Sequence, residues 1–189
     1  MTYYYYARGK CIMDALIINL YGGPGTGKSS LAAGLFSELK WRGRTTEMAL
    51  EFAKDKVWER STAVLNNQIY IFGKQHHRIW RLRDQVEVVV TDSPLLLSLI
   101  YGAENTSKQF HELVLHEHRE LRNLNVFLER LKAYNPKGRL QTEEEAKNID
   151  GRVRSMLEDT VESYIVMPAQ PESIKPLADR VEEILEEGI

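Results

Sequence analysis

The chain has 189 residues, 25 basic and 27 acidic side chains, and a formal charge of −2. That length suits one α/β domain with a substantial core, and the charge gives no global sign of nucleic-acid binding, although a local basic face stays open. A single cysteine, Cys11, excludes an internal disulfide framework and fits a reducing cytoplasm. No apolar run approaches the roughly 18 residues of a membrane span.

Residues 1–13, with Tyr3 to Tyr6 in a row, have no apolar signal-peptide core. They are expected to form an extension ahead of a single domain at 14–189, with Met13 as an alternative beginning. Residues 15–21 are apolar and read as a first strand. The sequence Gly22-Gly23-Pro24-Gly25-Thr26-Gly27-Lys28-Ser29 follows and satisfies G-x-x-x-x-G-K-[ST]. Next comes a helix from about Lys28 to Trp41, with apolar Leu31, Leu35, Phe36 and Leu39, stopped by Gly43. A second strand is expected at 45–50 with Glu51 at its end, then helices at about 54–65 and 67–83. The β-branched run 86–91 predicts a central parallel strand, ended by Asp92-Ser93-Pro94, which is expected to open a helix. A helix at 107–122 precedes a fourth strand at 124–128. Polar residues 129–142 read as a loop, and Thr142-Glu143-Glu144-Glu145 as a capping-box start of the next helix. A fifth strand at 164–167 and a helix at 171–187 finish the alternation of a doubly wound parallel sheet.

Strand, glycine loop and helix in that order form a phosphate-binding loop. Its glycines turn backbone N–H groups inward, and the helix N-terminus adds partial positive charge. Gly23, Pro24, Gly25, Thr26, Gly27, Lys28, Ser29 and Ser30 are therefore expected to hold ATP. Lys28 would reach the β- and γ-phosphates, and the Ser29 hydroxyl would ligate Mg²⁺. Asp92, after an apolar strand, is the expected second metal residue, and as an aspartate it also favours a helix N-cap.

The neighbours of Asp92 are Thr91 and Ser93, so the glutamate that orients water in many hydrolytic ATPases is missing. An N-K-x-D guanine motif is missing too; Lys147-Asn148-Ile149-Asp150 has the wrong order. Both absences favour transfer to an acceptor over a motor or a GTPase. Glu51, at the C-terminal end of the second strand, is a candidate for acceptor binding and for the base, or else a solvated helix-start carboxylate. Arg130 and Arg139 lie in a cation-rich stretch after the fourth strand, where a loop can close over ATP; one of them is expected to act on the transferring phosphate. Gln75 and Arg78 are i,i+3 neighbours that face either the acceptor or the outside of an amphipathic helix. His111, His116 and His118 read as a solvated helix face, and Trp41, Trp58 and Trp80 as packing residues.

Several strings together resemble a known group of small P-loop kinases: Gly22 to Ser30, Glu51-Phe52-Ala53-Lys54-Asp55, Thr91-Asp92-Ser93-Pro94, and Tyr134 to Gln141 with Glu143 to Ala146. The chain is similar, from residue 15 to 185, to the nicotinamide-riboside-kinase-related AAA-type ATP-binding family, many members of which are encoded by bacteriophages. The resemblance implies a nucleoside/nucleotide-kinase fold with strand order 2-3-1-4-5 and a lid after strand four, about 129–155. It would place Lys28, Ser29 and Asp92 at MgATP, Glu51 at the acceptor, and Arg130 and Arg139 in the lid. Some phage kinases of this general kind phosphorylate 5-hydroxymethyluracil in DNA, which makes hydroxymethylated DNA one candidate acceptor beside a free nucleoside or nucleotide. The location implied is cytoplasmic, in the host if the chain is phage-encoded. Asp92-Ser93-Pro94 departs from the Glu-Arg-Ser pattern of deoxynucleoside kinases, and no ring-forming motor is implied by the AAA-type label. The competing class is an ATP-binding switch or ATPase that acts through a protein partner.

Overall fold

The computed structural model describes residues 6–7, 10–11, 14–102, 106–131, 133–135, 137 and 141–187. Tyr6–Ala7 and Lys10–Cys11 pair antiparallel as a short ribbon within the N-terminal extension. Five parallel strands form the main sheet: β1 (Leu16–Tyr21), β2 (Thr46–Ala49), β3 (Val88–Thr91), β4 (Arg122–Glu129) and β5 (Ile165–Pro168). Their spatial order is β2-β3-β1-β4-β5, as the family resemblance implies. β1 is central: Leu16 lies beside Val88 on one side and Arg122 on the other, and Asn19 beside Thr91 and Asn125.

The helices are α1 (Lys28–Trp41), α2 (Phe52–Trp58), α3 (Thr62–Leu65), α4 (Gln68–Trp80), α5 (Leu97–Tyr101), α6 (Lys108–Arg119), α7 (Glu143–Thr160) and α8 (Ile174–Glu186). Strand side chains alternate between faces, and this divides the core in two. Leu16, Ile18 and Leu20 of β1, with Val88, Val90, Val126 and Leu128, pack against α1 and α8. Ile17 and Tyr21 of β1, with Val89 and Phe127, pack against α4, α5, α6 and α7. The buried Leu31, Leu35 and Leu39 of α1 recur at helical spacing, and each stabilises the fold by roughly 1.5–3 kcal/mol on burial.

Two expected helices come out differently. The segment expected as one helix at 54–65 breaks after Glu59. Arg60 adopts φ +55, its N–H reaches Val57 O at 3.1 Å, and the Ser61 N–H reaches Lys56 O at 2.9 Å. This paired closure of a helix end normally uses glycine at the left-handed position, so an arginine there hides it from the sequence. The helix expected to open at Asp92 starts only at Leu97. Between them, three-residue turns link Leu97 N–H to Pro94 O and Ser98 N–H to Leu95 O. By contrast α7 begins as expected, with the Thr142 and Glu145 side chains each accepting the other's backbone N–H. The residues between β4 and α7 carry no helix or strand among those described, and α7 itself is packed into the core through Ala146, Ile149 and Val153.

No helix among the described residues is long and apolar enough to cross a membrane.

Candidate functional site

The loop after β1 turns sharply enough to bring α1 back against the sheet, and glycine makes that possible. Gly27, the residue before α1, sits at φ +120, a left-handed conformation that side chains other than glycine rarely adopt. Gly23 answers a different need: a Cβ there would lie 2.5 Å from the Ala146 carbonyl and 2.7 Å from Asp150 Oδ1 on α7. The Thr26 hydroxyl is buried and donates to Gly23 O at 2.7 Å. Lys28 donates to Gly22 O at 2.7 Å and Gly23 O at 3.0 Å, so its ammonium lies against the loop. Burial pulls the Lys28 ammonium below the ordinary lysine range, while the nearby charges of Glu51, Asp92 and Asp150 counteract that pull.

A cleft of about 530 Å³ opens from this loop over the C-terminal ends of β2 and β3. Lys28, Ser29, Glu51, Gln75 and Asp92 all line it. Asp92 is buried, and its Oδ1 accepts the Glu51 backbone N–H at 3.0 Å. Burial raises the Asp92 carboxyl, and Lys28 and that N–H counteract the rise. The Glu51 carboxyl is also pushed up, first by burial; Lys28 opposes this and the Asp92 charge adds to it. The Glu51 carboxylate makes no hydrogen bond or ion pair among the described residues. Asp92 is thus anchored by the backbone it steadies, whereas the Glu51 oxygens have no such partner among the described residues.

The side chain of Gln75 does positioning work from α4. Its Oε1 accepts the Phe52 N–H at 3.0 Å, and its Nε2 lies 3.4 Å from Ala49 O. Together with Thr91, whose hydroxyl donates to Ala49 O at 2.8 Å, it fixes the turn that presents Glu51. The structure does not bring Arg78 to the cleft wall. Its guanidinium donates to Leu50 O and to Asp55, both at 2.8 Å, and lies over the Phe52 ring. Arg139 falls outside the described residues. Arg130 does reach the loop, donating to the Thr26 hydroxyl at 3.2 Å.

The aromatic and histidine expectations need correction. Trp58 is 64% exposed and lines the cleft, and Trp41 and Trp80 are 87% and 50% exposed, so none of the three is a core packing residue. Each is the last residue of its helix, α1, α2 or α4. His118 is buried rather than solvated, because it occupies the same face of α6 as Phe110 and Val114. No group of three or more metal-ligating side chains occurs among the described residues. Mg²⁺ is usually bound by one or two protein oxygens together with substrate phosphates, and the hydroxyl of Ser29 and the carboxylate of Asp92, which both line the cleft, are hard oxygen donors of that kind.

Sequence reasoning missed Asp150, which accepts the Gly23 N–H at 2.5 Å and the Arg130 Nε–H at 2.8 Å. The available signal was an aspartate among Ala146, Ile149 and Val153 on the apolar stripe of α7. It also missed a shelf of about 50 Å³ on the β5 side of the loop, lined by Gly27, Ser30, Ala169, Gln170 and Pro171.

Strand order, loop and helix define a P-loop fold of the kinase-like kind. The chain belongs to the AAA domain family, whose sequence profile matches residues 17–174. Among solved structures it is similar to NadR protein in complex with NAD and AMP-PNP, with TM-score 0.66 and 12% identity over 89% of this chain. The match spans only 50% of that NadR chain. It is also similar to deoxyadenosine kinase from M. mycoides with products dCMP and dCDP bound, with TM-score 0.50 and 15% identity, covering 90% of this chain and 99% of that one. No curated protein matches the sequence.

Proposed function

We propose that the protein is an ATP-dependent phosphotransferase acting on a hydroxyl of a nucleoside- or nucleotide-type acceptor. The observation that carries the reading is the convergence of Lys28, Asp92 and an uncommitted Glu51 on one cleft large enough for a second substrate. The cleft beyond Lys28 has room for an acceptor beside the loop. Trp58 and Tyr101 offer aromatic surface on the cleft walls, which suits a planar acceptor base. The two similar structures, with NAD and AMP-PNP in one and deoxynucleotide products in the other, are consistent with that use of the fold.

The chemistry follows from the placement. The acceptor hydroxyl oxygen forms a bond to the γ-phosphorus as the bond to the β–γ bridging oxygen breaks. Glu51 orients the hydroxyl and takes its proton, a role for which a carboxyl raised above its ordinary range is better matched to neutral pH. Lys28 and the loop N–H groups stabilise charge on the phosphate oxygens. Mg²⁺ held by Ser29 and Asp92 would neutralise further phosphate charge. Thr91 and Ser93 beside Asp92 supply no carboxylate to orient an attacking water, which disfavours the competing ATPase reading.

The test is incubation with γ-labelled ATP and a panel of free nucleosides, nucleotides, NAD precursors and duplex DNA containing 5-hydroxymethyluracil. Label on one acceptor class supports the proposal and names the acceptor. Label confined to inorganic phosphate throughout would replace it with the ATPase or switch reading.

A further inference from the structure

One carboxylate ties together three parts of the site that are far apart in sequence. Asp150 lies in the middle of α7, on the stripe that Ala146, Ile149 and Val153 bury. Its Oδ1 accepts the backbone N–H of Gly23 at 2.5 Å and lies 3.3 Å from the Thr26 hydroxyl. Its Oδ2 is 2.8 Å from both Nε and Nη2 of Arg130. Nη2 of that arginine also reaches the Thr26 hydroxyl. The absence of a side chain at Gly23 lets α7 come this close, since a Cβ there would collide with the Ala146 carbonyl.

The remaining nitrogen of Arg130 is informative. Nη1 is buried and has no hydrogen-bond partner among the described residues. An unpaired buried donor carries a desolvation cost that is larger for a charged group, so its retention calls for a use. Arg130 is also near enough to Lys28 for the two positive charges to repel. The guanidinium thus stands beside the phosphate loop, with Nε and Nη2 held by Asp150 and its charge close to Lys28.

We propose that Asp150 is a positioning residue: it clamps α7 to the phosphate loop and holds the Arg130 guanidinium beside that loop, where its charge acts on the phosphates of the nucleotide. The inference rests on the nucleotide-site half of the functional reading and not on the identity of the acceptor. Asp150 itself touches no substrate. It acts by fixing one cation's direction, which matters because a misplacement of about 1 Å can cost on the order of 10²-fold in rate.

The experiment is a double-mutant cycle on the full chain, with D150N, R130A and the double variant. ATP affinity is measured by calorimetry, and turnover as γ-phosphoryl release from ATP, whether it goes to an acceptor or to water. D150N keeps the size of the side chain and removes its charge. It is expected to lower turnover roughly 10- to 100-fold with a much smaller change in ATP affinity, and R130A is expected to add little to it. Full turnover in D150N would overturn the proposal, as would losses from the two variants that simply multiply, or a loss confined to ATP affinity. R130K, which keeps the charge but not the two-nitrogen contact, is the second probe should D150N be poorly folded. It is expected to show the same turnover loss, and wild-type turnover in R130K would also overturn the proposal. Wild-type protein that binds no ATP at all would refute the nucleotide reading instead, and a wild type that releases label only to water leaves the cycle fully readable.

Discussion

The two faces of the sheet are built on different chemistry. On the α1 and α8 face, strand and helix meet through leucine, isoleucine, valine and alanine, with Thr46 of β2 and Ser173 ahead of α8 as buried polar exceptions. On the α4 to α7 face the core is also apolar, but Asn19, Gln75, Thr91, Ser98, His118 and Asn125 are buried on that side or at its edge. Asp92, Lys28 and Glu51 gather where that face meets the C-terminal ends of the strands. Burial of such groups works against stability unless each finds a partner, and several here do: Gln75 with the Phe52 N–H, Asp92 with the Glu51 N–H, Asn19 with Asn123 and Asn125. Both faces carry an apolar core, but the α4 to α7 face also spends part of its stability on holding charge out of water.

Substitutions on the two faces should therefore separate activity from stability. The largest effect belongs to Lys28→Ala, which is expected to abolish phosphoryl transfer while the thermal midpoint stays near wild type. In the proposed reaction Lys28 contributes charge to phosphate rather than packing; steady-state turnover with a parallel melting curve checks both halves.

Glu51→Gln should reduce turnover by roughly 10²–10⁴-fold, the usual contribution of a positioned base, and alter ATP affinity far less. It should also raise stability at neutral pH. The Glu51 carboxyl is raised in the folded protein, so the folded state holds its proton more tightly than the unfolded chain does, and ionisation costs stability as pH rises through the folded value. Melting curves should show the gain at neutral pH and its disappearance toward about pH 4, where the unfolded carboxyl is protonated as well.

Leu35→Ala gives the opposite pattern. Leu35 is fully buried on the α1 and α8 face, so its truncation is expected to cost about 3–5 kcal/mol of unfolding free energy in a denaturant titration. Turnover per folded molecule should not change at temperatures where the variant remains folded.

The smallest effect concerns the polar face without its chemistry. Burial holds the His118 imidazole down at about 4, below its ordinary value of roughly 6.5. The unfolded chain binds the proton first, so the stability that His118 permits is complete above about pH 6.5 and is lost as pH falls toward 4. The full loss is about 3 kcal/mol. His118→Leu should flatten the denaturant midpoint across that window while leaving the midpoint above pH 7 little affected.

Much of the architecture was legible from local pattern. The glycine loop announced itself through spacing, and the run Val88 to Thr91 through β-branching, because both are consequences of backbone geometry at adjacent residues. Thr142 and Glu145 were readable for the same reason. The break at Arg60 was not, because an arginine took a conformation that sequence logic reserves for glycine. The site divides along the same line. Lys28, Ser29 and Asp92 belong to elements whose ends the sequence marks. Gln75 was picked out for the acceptor, yet its amide braces the backbone below Glu51. Asp150 was given no role because its partners, Gly23 and Arg130, lie 127 and 20 residues away. The exposure of Trp58 depended on which neighbours α2 lacks, which no periodicity encodes.

The central claim is that the buried charge around Glu51 serves phosphoryl transfer, with Glu51 receiving the acceptor proton. The most direct measurement is the pH dependence of the turnover number at saturating ATP and acceptor, in wild type and Glu51→Gln. The expected wild-type profile falls on the acid side through an ionisation displaced above the ordinary carboxyl range, and Glu51→Gln lowers the plateau and removes that limb. A variant that keeps both the wild-type plateau and the acid limb would contradict the account.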